Sequence, residues 1–152
     1  MRIELPIESE RLVIRPLELE DAADLREPEQ WIREKIDRYG RDGGMSLWAA
    51  VDRESGRAVA LAGLQWEQID GRRELDLGCV VADHEQGHGY GTEASTAVLD
   101  AAFAAGFKRV TAMTKPDNAP ALRILEKLGF AREGETDFEG RHYAFFTRSP
   151  AG

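Results

Sequence analysis

Residues 11–16 alternate, with Leu12 and Ile14 on one face, a pattern that predicts a strand. Residues 18–25 carry acidic side chains at the front, as a helix N-terminus prefers. Pro28 suits the first turn of a second helix. Ile32, Ile36 and Tyr39 share its apolar face, and Gly40 is placed to end it. Strands are predicted over 47–52, 57–68 and 74–81. The second and third are joined by Asp70-Gly71, a strong hairpin signal. In the third, Leu75, Leu77, Cys79 and Val81 alternate with Glu74, Asp76, Gly78 and Val80.

A helix over 92–105 follows, with Ala94, Ala97, Val98, Ala101, Ala102 and Ala105 at helical spacing and Gly106 as its stop. A short strand is predicted over 109–115. Asn118 then caps a helix that tolerates Pro120 in its first turn and buries Ala121, Ile124, Leu125 and Leu128, with Gly129 as terminator. Strands over 131–138 and 141–147 form a closing hairpin. The order β-α-α-β-β-β-α-β-α-β-β predicts a mixed α/β class, a sheet with helices packed on it.

Composition narrows the function. A chain of 152 residues fits one domain, over 1–152, and can bury roughly 70% of its unfolded surface. The longest uncharged apolar stretch, 58–64, is far short of the roughly 20 residues of a membrane span. Charged residues at positions 2, 4, 8 and 10 leave no signal-peptide core, so a cytoplasmic protein with no membrane partner is expected. The net charge of −8 argues against sequence-independent nucleic-acid binding, which needs a basic face. It suits a cationic substrate, or simply solubility. Cys79 is the only cysteine, so neither an intramolecular disulfide nor a cysteine-clustered zinc site can form, and no metal is expected.

The turn Gln86-Gly87-His88-Gly89-Tyr90-Gly91-Thr92 joins a strand to a helix. Three glycines in five positions let a ligand approach the backbone, and successive N–H groups at the positive end of a helix favour an anion such as a pyrophosphate. The same glycines also suit a plain turn that needs positive φ. The spacing is neither the dinucleotide-binding GxGxxG nor a P-loop.

Taken together, three separated motifs resemble the GNAT family of acetyl-CoA-dependent N-acetyltransferases, most closely its RimJ/RimL-type branch. They are residues 10–17 (ERLVIRPL) with Glu20-Asp21-Ala22, residues 77–81 (LGCVV) leading into the glycine turn and Thr92-Glu93-Ala94, and Asp117-Asn118 with residues 122–130 (LRILEKLGF). The resemblance implies a mostly antiparallel sheet splayed at its centre into a V, with about four helices around it. It implies acetyl-CoA as co-substrate, its pantetheine arm paired with the strand of Cys79, Val80 and Val81. The pyrophosphate then sits on the amides of Gly87, His88, Gly89, Gly91 and Thr92, with Gln86 opening the turn and Asn118 touching the cofactor arm. A homodimer is one assembly the family allows.

Direct transfer to an amine needs a base, because a primary amine is mostly protonated at neutral pH. Asp76 is the preferred candidate, with Glu74 and Glu67 as rivals. The resemblance places family acids at positions here filled by Leu125 and Ala121, and a base at Met113; none of these side chains can carry a proton. Tyr90, His142, Tyr143 or water are the remaining acids. Cys79 reads as a buried strand residue without a basic partner, not a nucleophile. Against the resemblance, the segment near 25–28 is roughly a dozen residues shorter than usual for this branch, and two explanations compete: a shortened cap, giving an open site suited to a bulky acceptor, or a mobile stretch missing from the sequence. The expected acceptor is a primary amine, on a peptide N-terminus or a small molecule such as a polyamine. The alternative is a catalytically weak module that senses acetyl-CoA.

Overall fold

In the computed structural model, which describes residues 1–150, the alternating stretches pair into one eight-stranded sheet. Residues 151 and 152 of the expected domain lie outside the described residues. The strands are β1 (Ile7–Glu8), β2 (Leu12–Arg15), β3 (Leu47–Asp52), β4 (Ala58–Ile69), β5 (Arg72–Val81), β6 (Val110–Thr114), β7 (Ala131–Phe138) and β8 (Arg141–Arg148). They lie in the order β1-β2-β3-β4-β5-β6-β8-β7, antiparallel except where β5 meets β6. The helices are α1 (Asp21–Leu25), α2 (Glu29–Arg41), α3 (Tyr90–Ala104) and α4 (Ala119–Lys127). None is long and apolar enough to cross a membrane.

Alternation along the strands divides the core in two. Leu12, Ile14, Leu64, Leu75 and Leu77 pack with Ala94, Val98 and Ala102 of α3 and Leu125 of α4. On the other face, Leu47, Ala49 and Leu61 pack with Leu25 of α1 and Ile32 of α2. Odd-numbered positions of β5 therefore look towards α3 and α4, and even-numbered positions towards α2.

Several boundaries shift for local reasons. The predicted helix over 18–25 begins only at Asp21, because the Asp21 carboxylate accepts from the Glu18 N–H and two Arg15 nitrogens, which holds residues 18–20 as a turn. The second helix passes through Gly40 to Arg41, and the stop moves to Gly43 and Gly44, both at positive φ. The third begins two residues early, at Tyr90, because Gly89 takes a left-handed conformation at the N-cap. Two elements absent from the sequence reading are β1 and a 3-10 turn at Asp83–Glu85.

The joint between β5 and β6 sets up the rest. Strand β5 pairs with β4 along its whole length, from Arg72 opposite Ile69 to Val81 opposite Ala60. With β6 it shares one register pair, Asp76 opposite Thr111. Beyond that point the two strands part, and residues Gly78–Val81 leave one edge unpaired.

Candidate active site

The parted strands open a cleft of about 260 Å³ on the α3/α4 side. Leu77, Cys79 and Val81 of β5 form one wall, Ala112, Met113 and Thr114 of β6 another, and Asn118, Ala121 and Leu125 close it from α4. It runs on into a wider hollow of about 590 Å³ at the glycine turn, lined by Gln86, Gly87, Gly89 and Thr92. Val81, Gly91, Asn118, Ala121 and Ile124 border both, so the two form one groove.

The amides of Gly87, His88, Gly89, Tyr90, Gly91 and Thr92 donate no hydrogen bond among the described residues; the first helical bond of α3 runs from Glu93 N to Gly89 O. These are the orphan donors of a helix N-terminus, concentrated by the turn that precedes it. The glycines divide the work. Gly87 (φ 86°) and Gly89 (φ 78°) supply the backbone conformation, whereas Gly91 supplies room. A Cβ on Gly91 meets Val81 Cγ2 at 3.2 Å and Cys79 Sγ at 3.8 Å, inside the groove. A Cβ on Gly89 points instead at Arg11, at 3.6 Å. The positive-φ reading of the turn therefore applies at Gly87 and Gly89, while Gly91 keeps the groove wall clear.

The side chain of His88 turns onto Tyr90, with ring centroids 5.9 Å apart, so this residue offers the groove its amide rather than its imidazole. Tyr90 lies under the Arg11 guanidinium, 4.6 Å from the ring centroid, and desolvation, with Asp52 and Glu85 nearby, raises its phenol above the ordinary value. That makes it a poorer acid. Asn118 caps α4, its Oδ1 accepting from Ala121 N at 3.2 Å, which leaves the amide nitrogen available.

Cys79 corrects an expectation. It is exposed, not buried, because β6 has left the strand by this point and nothing covers the groove wall. Val80 is exposed on the other face for the same reason. The thiol is nonetheless pushed up by desolvation, opposed by a hydrogen bond with Ser95, which keeps it protonated and non-nucleophilic.

The carboxylates separate clearly. Asp76 sits at the last β5–β6 pair, where the strands begin to part, and is 8% exposed. Thr111 Oγ1 donates to Asp76 Oδ1 at 2.7 Å. Burial, opposed by that hydrogen bond and reinforced by Glu67 and Glu74, raises the Asp76 carboxyl to about 7. Its side chain lies on the α2 face, away from Leu77 and Cys79. A group passing between the strands from the groove would reach it from the other side.

Glu74 is held instead by two hydrogen bonds from Arg109, at 3.0 and 2.8 Å. Glu67 is held by Arg38 of α2. His142 has both ring nitrogens occupied, by Asp137 and Glu135 at 2.7 Å each, and lies outside the groove. Leu125, Ala121 and Met113 do line the cleft, so α4 brings no proton donor at those positions.

Sequence reasoning missed Thr111, Ser95 and the α2 residues Lys35 and Arg38. Thr111 meets Asp76 only through a parallel pairing across 35 positions, for which no local signal exists. For α2 a signal was present: Lys35 and Arg38 lie a helical turn apart, flanking the apolar positions Ile32, Ile36 and Tyr39.

Residues 11–131 match the family model described as the acetyltransferase (GNAT) domain. The chain belongs to the GNAT family. YkkB of Bacillus subtilis (strain 168), an uncharacterised protein, is 31% identical over 107 residues, covering 70% of this chain and 62% of YkkB. The chain thus spans less than two thirds of that relative's length. A GNAT-family acetyltransferase from Bacillus anthracis superposes with a TM-score of 0.76 at 20% identity, covering 95% of this chain and 98% of that one. Mycobacterium smegmatis RimJ, solved in complex with CoA-disulfide, superposes with a TM-score of 0.71 at 20% identity, covering 97% and 85%. This GNAT chain shares the overall fold of those two solved structures.

Proposed function

We propose that the protein moves the acetyl group of acetyl-CoA to a primary amine by direct attack within a ternary complex. One observation carries this reading: a single groove joins the open amide turn at the start of α3 to the point where β5 and β6 separate beside Asp76. Gly87, His88, Gly89, Gly91 and Thr92 offer N–H groups to a diphosphate. The free edge of β5 at Cys79, Val80 and Val81 offers strand-like hydrogen bonds to an amide-bearing arm. Asn118 offers its amide nitrogen across the groove.

Asp76 is the base. A carboxyl titrating near 7 is half ionised at neutral pH and basic enough to draw a proton from an incoming ammonium. The amine nitrogen then attacks the thioester carbonyl carbon, the C–S bond breaks, the nitrogen sheds its second proton to solvent, and CoA leaves as the thiol with a proton from solvent. A backbone N–H on the parted strand can steady the oxygen as charge develops. The acceptor that fits this reading is a peptide N-terminus or an extended polyamine, since α1 is only five residues long and α2 begins at Glu29.

The test is acetyl-CoA incubated with peptides of varied N-termini, spermidine, aminoglycosides and amino acids, with released CoA separated by chromatography. A thiol dye is unsuitable because Cys79 is exposed. Release that depends on one amine class is expected. Tight acetyl-CoA binding with no release across the panel favours the sensing module, which the apolar Leu125 and Ala121 in the cleft also motivate. Failure to bind acetyl-CoA overturns both.

A further inference from the structure

Lys35 is the one lysine of the four that is not exposed, and among the described residues it forms no ion pair. It lies on the α2 face of the sheet. Its Nζ donates to Gln65 Oε1 at 3.2 Å and sits 5.4 Å from the centroid of the Trp31 ring. Gln65 is the direct partner of Asp76 in the β4–β5 register, and its Nε2 lies 3.9 Å from where a Cβ on Gly78 would stand. The primary amine of Lys35 is therefore held one side chain away from the candidate base, and above the strand segment where β5 loses β6.

The placement is built. Ser46 Oγ donates to the Lys35 carbonyl at 2.7 Å, and Arg38, one turn along, ties α2 to the Trp66 carbonyl and to Glu67. The space under α2 is tight as well, since a Cβ on Gly63 would meet the Ser46 carbonyl oxygen at 2.1 Å. These contacts fix the backbone of α2 at Lys35, and its amine rests on a neutral partner.

We propose that Lys35 is an internal acceptor: the protein acetylates its own Lys35 Nζ from acetyl-CoA. The proposal rests on the acetyl-transfer reading above. The Lys35 ammonium loses a proton to Asp76 or solvent, its nitrogen attacks the thioester carbon, and a C–N bond forms as the C–S bond breaks. The nitrogen sheds its second proton, and CoA leaves as the thiol. The products are an acetyl-lysine, free CoA and one net proton. Burial and the neighbouring Arg38 hold the amine below the ordinary lysine range, against the opposing pull of Glu67 on β4, Glu34 on α2 and Glu139 in the β7–β8 turn. More of it is the free base near neutrality than in an exposed lysine. Acetylation removes the cation, so it also changes the face on which an external amine would arrive.

The test is incubation of the full chain with acetyl-CoA alone, followed by intact mass and peptide mapping. Lys108, Lys115 and Lys127, all exposed, serve as controls within the same molecule. Lys35 is expected to be modified about tenfold faster than any of them or more, as assisted proton transfer allows. The rate per molecule should be unchanged on dilution, and the fast phase absent in Lys35→Arg and in heat-unfolded protein. Modification of Lys35 no faster than the controls overturns the proposal, as does a rate that rises with protein concentration. Parallel tubes with external amines separate the two readings. External transfer with Lys35 unmarked sinks self-acetylation alone, whereas absence of acetyl-CoA binding by calorimetry sinks both.

Discussion

Replacing Asp76 by Asn should make the folded protein more stable at alkaline pH while removing the base. The Asp76 carboxyl stands near 7 in the folded chain against an ordinary value of 3.8. A folded value above the unfolded one means that ionisation costs the folded state. Stability from this group is fully present below about 4 and is lost as pH rises through about 7. A gap of about three pH units at 1.36 kcal/mol each gives a penalty of about 4 kcal/mol above pH 8, an upper figure because local relaxation and water entry reduce it. Asn is uncharged throughout and keeps an oxygen for the Thr111 hydroxyl. The variant's advantage should therefore grow by about 2–3 kcal/mol between pH 5 and pH 8.5. Urea unfolding of both proteins at the two pH values measures it, and the other carboxylates cancel in the difference. If the advantage is the same at both pH values, Asp76 does not titrate abnormally and the argument for it as base fails. In the transfer assay the same variant should lose most near and just above pH 7, where Asp76 is ionised and free amine is still scarce, and little at low pH, where the wild-type carboxyl is already protonated.

Gly91→Val places a side chain against Val81 and Cys79 without positive-φ strain, so acetyl-CoA affinity measured by calorimetry should fall by at least about tenfold while stability drops by no more than about 1–3 kcal/mol. Arg109→Ala strands the buried Glu74 carboxylate and should cost about 2 kcal/mol by urea unfolding, less than for a fully buried pair because Arg109 borders solvent. Its transfer rate should keep the wild-type pH dependence if Glu74 is not the base. His142 is raised by Asp137 and then by Glu135, so its NMR titration midpoint should lie above 6.5, and His142→Asn should leave transfer unaffected. A midpoint at or below 6.5 would show that the two carboxylate contacts do not form in solution.

The strands that carry the groove were readable because β4 opens on a continuous apolar run, β5 alternates Leu75, Leu77, Cys79 and Val81 with Glu74, Asp76 and Gly78, and Asp70-Gly71 announces their turn. The two-residue β1 was not, since so short a strand shows no period. Asp76 stood out as an acid on a strand, yet its environment depends on Thr111, Glu67 and Arg38, each brought in from a different element. Cys79 was misjudged because alternation says which face a residue takes, not whether anything covers that face. In β5 the same face is covered at Leu75 and bare at Cys79, and the difference lies in where β6 diverges.

The lone rung between Asp76 and Thr111 also makes the sheet a seam. On one side β1–β5 form a continuous ladder; on the other β6, β8 and β7 form a second, and between them the backbone is nearly uncoupled. An extended molecule lying along the free edge of β5 would act as the missing staple, coupling two units that otherwise open with separate free energies. Amide hydrogen exchange in β6 and β8 would then slow on binding although the ligand touches neither of their central hydrogen-bond ladders. The parting is thus also the line of fewest backbone pairs in the sheet, and a ligand lying along it would raise occupancy and mechanical integrity together.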